Sequence, residues 1–218
     1  MCASYGQFEK WPKTLHFSWS PNLSKGDKRL PNDNIFVGKT IVVTEKLDGE
    51  CTGMTRGSCH ARSLDGRDHP SRHWVKGLHA AIAQSIPDDF HLFGENLFAK
   101  HSIAYNQLPS FFFMFGMVDE HKICLSWHDT VEWSELLEIP MPTVLYYGPW
   151  NQDIVKACYT GVSPWGDAQE GYVVRNADAF PMIDFQTNVA KCVRYKHVQT
   201  GGFWMKNWTP NHLAKEDR

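Results

Sequence analysis

From Ile35 onward the chain is divided into short segments rich in β-branched and aromatic residues: "IFVGKTIVVTEK", "CHARSL", "HLFGENLF", "FFFMFGMVD", "KICLSW", "TVLYYG", "GYVVRN" and "VAKCVRY". Several are separated by turn residues at short spacing, with no regular alternation of strand and helix. This pattern predicts antiparallel β-sheets in an α+β fold, not a doubly wound parallel sheet. Helical periodicity interrupts the strands in three places. "SRHWVKGLHAAIAQSI" sets Trp74, Leu78, Ala81 and Ile82 on one face with Ser71 as the expected N-cap, and "TVEWSELLEI" and "NQDIVKACY" predict shorter helices. The opening "WPKTLHFSWSPNLSKGDKRLPNDN" is rich in Pro, Asn and Lys. Residues 1–34 are therefore expected to lie irregularly on a single domain spanning 1–218.

Composition narrows the class further. With 42% apolar and 21% charged residues over 218 positions, a globular chain with a substantial core is expected. No apolar run is long enough for a membrane-spanning helix, and "MCASYGQFEK" has no signal-peptide core. Cys2, Cys51, Cys59, Cys124, Cys158 and Cys192 form no CxxC pair, which predicts free thiols in a reducing cytoplasm. The formal net charge of −2 argues against a broad electrostatic footprint for nucleic acid. Phosphate contacts need only local clustering, however, and "KCVRYK" gathers Lys191, Arg194 and Lys196 without an acid.

The chemistry centres on "TEKLDGECTG", where Lys46 follows an apolar run and precedes Asp48-Gly49. An Asp-Gly pair between strand-like runs predicts a two-residue hairpin loop, with Leu47 facing Glu50 and Lys46 facing Cys51. A lysine becomes a nucleophile only when its proton is removed, so its surroundings must favour the neutral amine. Taken alone, KxDG reads as a solvated lysine beside a turn. Four later stretches complete a possible nucleotide site. In "FGEN", Glu95 sits at a strand end, where a carboxylate accepts from ribose hydroxyls. "FFFMFG" offers aromatic faces for a purine, "EGYVVR" sets Glu170 before a turn glycine as a hard-metal ligand, and "KCVRYK" offers cations for phosphate oxygens. Each has a plainer reading, as a loop cap, a core aromatic, a strand-start acid or a solvated edge.

The order of these motifs resembles that of the covalent nucleotidyltransferases, the superfamily of ATP-dependent ligases and capping enzymes. "HARSLDGRDHPSRHWVKGLHA", "GENLFAKHSIAY", "DEHKICLSWHDTVEW", "EGYVVRNADAF" and "AKCVRYKHVQTGGFWM" are similar to the short RNA ligases of bacteria and phages, as is the opening "WPKTLHFSWSP". The resemblance implies antiparallel sheets forming a nucleotide-binding cleft with flanking helices, without an oligonucleotide-binding barrel. It implies ATP as cosubstrate with Mg2+ or Mn2+, a covalent lysyl-AMP on Lys46, and transfer of AMP to an RNA 5′-phosphate before sealing to a 3′-hydroxyl. The implied substrate is a nicked RNA duplex, with a separate end-healing enzyme as a possible partner. The alternatives are a GTP-dependent capping-type guanylyltransferase and an inactive RNA-binding module.

By the same resemblance Asp48 and Gly49 complete the nucleophile loop, and Glu45 belongs to the nucleotide site. Arg62 contacts the nucleotide or 5′-phosphate, Glu95 the ribose, and Phe112 (or, in the other register, Phe113) stacks on the purine. Glu170 is the metal-linked carboxylate and Lys191 the α-phosphate cation. The chain departs from the pattern twice. Val193 replaces the second lysine of K-x-K, which leaves Arg194 as the expected second cation. Cys51 stands where related ligases carry Asn, and a thiol is a weak hydrogen-bonding group.

Overall fold

The structure is a computed structural model that describes residues 10–21, 23, 26–63, 68–195 and 208–215. Its strands, in chain order, are β1 (Leu15–His16), β2 (Thr40–Lys46), β3 (Glu50–Thr55), β4 (Ser58–Ala61), β5 (His91–Asn96), β6 (Phe112–Val118), β7 (Ile123–Cys124), β8 (Val144–Pro149), β9 (Gly171–Asn176), β10 (Phe180–Pro181) and β11 (Val189–Val193). The helices are α1 (His73–Ile82), α2 (Trp127–Leu136) and α3 (Gln152–Ala157). Two sheets form, in the orders β1-β11-β9-β2-β8 and β10-β7-β6-β5-β3-β4. The strand pairings within them are antiparallel except β1 with β11. The α+β expectation holds. Among the described residues no helix is long and apolar enough to cross a membrane.

Period-2 patterning explains how the first sheet separates core from cleft. Ile41 and Val43 of β2, Tyr172 and Val174 of β9, and Ala190 and Cys192 of β11 share one face and pack with Phe17, Phe36 and Val155. The opposite face carries three cross-strand rows: Lys46–Gly171–Val193, Thr44–Val173–Lys191 and Val42–Arg175–Val189. The second sheet buries Met54, Leu92, Phe112, Met114 and Met117 against Val75 of α1, Leu137 and Ile139. The N-terminal segment is fixed by β1 and by rings: Phe17 stacks on Trp19 at 4.3 Å and on Trp150 at 6.0 Å, contacts worth about 0.5–1.5 kcal/mol each beyond area burial.

Three sequence expectations change. Asp48-Gly49 closes no hairpin: β2 belongs to the first sheet and β3 to the second, so Leu47–Gly49 crosses between sheets. Lys46 therefore faces Gly171, and Cys51 faces Glu95. The Asp-Gly signal reports a tight change of direction, and sheet membership depends on distant strands that local sequence does not specify. Ser71 is not an N-cap but lies inside a 3-10 turn (Pro70–Arg72) capped by His69, whose ring accepts from Ser71 N–H at 3.3 Å. Helix α2 begins at Trp127, with Ser126 accepting from Asp129 N–H, so "KICLSW" keeps only Ile123 and Cys124 in a strand. Cys2 and Lys196 lie outside the described residues, as does Leu64 of "CHARSL". The other five cysteines are free thiols.

Candidate active site

The two sheets face each other across a cleft of about 590 Å³, a size suited to a nucleotide. The first sheet contributes Thr44, Lys46, Val173, Arg175, Val189 and Lys191 to its lining. The second contributes Cys51, Ala61, Glu95 and Phe115, with Arg62 beside β4. The crossover after β2 sets Lys46 at the junction of the two walls.

Lys46 Nζ donates to Glu170 Oε2 at 2.6 Å and more weakly to Leu47 O at 3.3 Å. The side chains are 23% and 4% exposed, so bulk water screens this pair poorly. Burial alone would lower the Lys46 pKa. The charges of Glu170, Glu95 and Asp48 outweigh it and hold the ammonium above the ordinary lysine value. Burial pushes Glu170 up to about 7 and Glu95 up to about 8, with Lys46 opposing in each case. The resting site is thus a protonated lysine among carboxyl groups that hold protons unusually well. Removing the Lys46 proton requires that the negative charge around it be neutralised.

The nucleophile loop is held from several sides. Asp48 Oδ2 accepts from Ser102 N–H at 2.7 Å, Ser102 Oγ–H at 2.6 Å and Ile103 N–H at 3.0 Å. The Asp48 N–H donates to Tyr105 Oη at 2.9 Å, and Gly49 N–H donates to Glu95 Oε1 at 3.0 Å. A Cβ on Gly49 would meet Asn96 O at 2.5 Å, so only glycine lets the crossover pass this close to β5. Asp48 is therefore an anchor that ties the loop to residues 102–103. The same tie brings His101 into the cleft lining, where burial depresses its pKa.

The other expected residues divide. Glu95 and Lys191 lie in the cleft, and burial, reinforced by Lys46, lowers the Lys191 pKa. Arg62 lines it too, with Nε donating to Trp11 O at 2.9 Å. Glu45 borders the cleft, but the register places its side chain on the face of Tyr172 and Cys192, opposite Lys46. Burial there raises its pKa to about 7, opposed in part by the Ser163 and Thr143 hydroxyls. Arg194 departs from expectation. Its N–H donates to Glu170 O at 2.8 Å, and the residue lines a separate pocket with Pro21, Tyr159 and Tyr195, not the cleft.

Phe112 also departs from expectation. It is fully buried with Met114 and Met117, and Phe113 is fully buried with Leu47 and Tyr105. Phe115 is the aromatic of this strand that lines the cleft. The register shifts between β5 and β6, from Phe93↔Gly116 to Gly94↔Met114, leaving Phe115 as the extra residue of a bulge. Bulges re-aim side chains in this way, and strict alternation along "FFFMFG" does not reveal one. Sequence reading also missed Trp11 and Lys13 in the lining; both stand in the opening "WPKTLHFSWSP", whose likeness to the family gave neither residue a role.

For a divalent cation the candidates are Glu95, which lines the cleft, and Glu170, bonded to Lys46 beside it, both holding protons more tightly because of burial. Two carboxylates fit a hard ion that takes its remaining ligands from phosphate oxygens and water. Among the described residues the one grouping of three metal-ligating side chains is His128, Asp129 and Glu132, exposed on α2 and outside the cleft lining.

Known proteins bear on the same arrangement. No curated protein sequence matches the chain. Among solved structures, an archaeal ATP-dependent RNA ligase superposes with a TM-score of 0.54 at 14% identity, over 85% of this chain and 48% of that one. A mutant of the Naegleria gruberi RNA ligase with ATP and Mn superposes with a TM-score of 0.59 at 16% identity, over 87% and 57%. An Aquifex aeolicus protein assigned as an ATP-dependent DNA ligase gives 0.54 at 16% identity, over 85% and 50%. The chain thus spans about half the length of the structures it resembles, and at these identities the likeness is one of fold. The profile of the RNA ligase family matches residues 39–193, which include both strands that carry Lys46 and Lys191. The chain belongs to the RNA ligase family.

Proposed function

We propose that the chain is a single nucleotidyltransferase domain acting as an ATP-dependent RNA ligase through a covalent lysyl-AMP. The observation that carries this reading is the Lys46–Glu170 pair, set where the two sheets of a nucleotide-sized cleft meet. Glu170 Oε2 is the nearer acceptor for the Lys46 proton, and burial raises its affinity for it. The freed amine attacks the α-phosphorus of ATP; the N–P bond forms, the bond to the bridging oxygen breaks, and pyrophosphate leaves. Glu95 receives the ribose hydroxyls, and Phe115, opposite the Val173 wall, stacks on the base. The adenylate then passes to an RNA 5′-phosphate, returning a proton to Lys46, and an adjacent 3′-hydroxyl displaces AMP. Lys191 and Arg62 offset phosphate charge during these in-line transfers. Glu170 would hold magnesium or manganese, which when bound would supply further neutralisation of phosphate charge.

The substrate in this reading is RNA with 5′-phosphate and 3′-hydroxyl ends, held as a nicked duplex and prepared by a separate end-healing enzyme. Incubation with ATP and either metal is expected to add the mass of AMP to the wild type and not to Lys46→Ala. No adduct with any nucleotide or metal removes the proposal, and an adduct formed from GTP alone redirects it to guanylyl transfer. Nicked RNA, DNA and mixed duplexes then identify the strand that is sealed.

A further inference from the structure

Residues 10–30 lie outside the stretch that matches the RNA ligase family, yet Trp11, Pro12, Lys13, Thr14 and Asp27 all line the cleft. This segment is built into the site. Strand β1 runs parallel to β11 with His16 opposite Lys191, and Phe17 N–H donates to Lys191 O at 2.9 Å. Trp11 packs on Phe93 at 5.0 Å, Phe115 at 5.2 Å and Phe185 at 5.1 Å. Its ring occupies the space left by Gly116, where a Cβ would lie 2.8 Å from it. The Trp11 carbonyl accepts from Arg62 Nε, so the segment also positions a cleft arginine.

Between Trp11 and β1, Lys13 lies on the cleft wall with Nζ 3.5 Å from Gly26 O, next to Asp27. The charge of Asp27 acts on Lys191, which places the Lys13 end of the wall beside the Lys191 end of the floor. Three other cleft cations have stronger ties, and Lys191 is set into the floor, where burial lowers its pKa. Lys46 pairs with Glu170, Arg62 bonds to Trp11, and Arg175 donates to Asn176 O and Leu125 O. Arg194, the expected second cation of the basic strand, lines another pocket. Lys13 is exposed and, among the described residues, is held by one long contact to a carbonyl, so its ammonium is open to an incoming anion.

We propose that Lys13 is a phosphate-binding residue, supplied by the N-terminal segment to stand with Lys191 and Arg62 across the cleft. The proposal rests on the nucleotidyl-transfer reading for what the phosphate does, but phosphate binding is measurable without any turnover. Two sources carry this chemistry: the pyrophosphate portion of a nucleotide and the 5′-phosphate of an RNA end.

The test uses the full chain and compares wild type, Lys13→Ala, Lys13→Arg and Arg194→Ala, each checked for native circular dichroism and thermal midpoint. The probes are inorganic pyrophosphate and a short RNA with either a 5′-phosphate or a 5′-hydroxyl, with affinities read by calorimetry or anisotropy. Loss of one charge-assisted contact predicts roughly ten-fold weaker binding in Lys13→Ala, near-wild-type binding in Lys13→Arg and no change in Arg194→Ala. Weakening confined to pyrophosphate assigns Lys13 to the nucleotide, and weakening confined to the 5′-phosphorylated RNA assigns it to the RNA end. Pyrophosphate and 5′-phosphorylated RNA affinities both within two-fold of wild type in a folded Lys13→Ala overturn the proposal, as does an equal loss in Arg194→Ala. A wild type that binds the probes through Lys13 but forms no AMP adduct refutes the ligase reading and leaves this one standing.

Discussion

Replacing Asp48 with alanine removes the acceptor of three hydrogen bonds, from Ser102 N–H, Ser102 Oγ–H and Ile103 N–H, and leaves two backbone donors facing a gap. Hydrogen bonds to charged groups contribute about 1.5–3 kcal/mol each, but bonds to one oxygen are not additive and the carboxylate is only partly buried. The expected loss is therefore about 3–5 kcal/mol, a large share of the ~5–15 kcal/mol that stabilises a typical domain. At ~2–4 °C per kcal/mol for a chain of this size, the thermal midpoint falls by roughly 6–20 °C. Asp48→Asn retains an acceptor oxygen without the charge and should lose less than half as much. Urea unfolding of both variants, with Ser102→Ala completing a double-mutant cycle, supplies the measurement. An Asp48→Ala protein within about 1 kcal/mol of wild type would refute the assignment of Asp48 as the anchor of the loop.

Other positions give sharper contrasts. Phe112→Ala should cost about 3–5 kcal/mol of stability, as for other buried aromatics, whereas Phe115→Ala should chiefly raise the ATP concentration needed for adduct formation, by about ten-fold for a lost stack of ~1–3 kcal/mol. Equal stability losses in the two would contradict the bulge geometry. Glu45, Glu95 and Glu170 have folded pKa values raised to about 7, 8 and 7. The folded state thus holds more protons than the unfolded one between pH ~4.5 and ~8, and stability falls as pH rises through that window. Urea midpoints at pH 5 and pH 8 should show the decline and Glu95→Gln should flatten it; a midpoint that climbs with pH would show these carboxyls to be ordinary. Cys51→Asn, opposite Glu95 in the cleft, should accelerate AMP transfer to RNA or sealing more than adduct formation. Identical rates at every step would remove Cys51 as a determinant.

What the sequence disclosed follows from how local each signal is. Strands of four to seven residues with clear patterning, such as "GYVVRN" and "HLFGEN", are where they were expected, because burial of alternate residues is written into neighbouring positions. Lys46, Glu95, Glu170 and Lys191 converge as the motif order implied. The exceptions depend on partners remote in the chain. Asp48-Gly49 looks like a hairpin because a turn is encoded over four residues, whereas sheet membership is decided by β9 and β5. Phe115, and not Phe112, reaches the cleft, beside a bulge that the local sequence does not mark. Arg194 lies beyond the last paired residue of β11, where the strand no longer dictates which way a side chain points. Lys13 stood in the family-like opening with no role attached, and the pairing of His16 with Lys191 and the packing of Trp11 bring it to the site.

That pairing has a bearing on how the protein is made. Leu15 meets Ala190, 175 positions downstream (190 − 15), and Lys46 meets Glu170 across 124 positions. Contacts this distant put the chain among slow-folding topologies, since loop closure must precede the reward of pairing. A ribosome-bound chain carries Lys46 early but has neither its carboxylate partner nor a floor for the cleft until synthesis has passed β9 and β11. The Lys46–Glu170 pair and the cleft floor are thus completed only once β9 and β11 have been made.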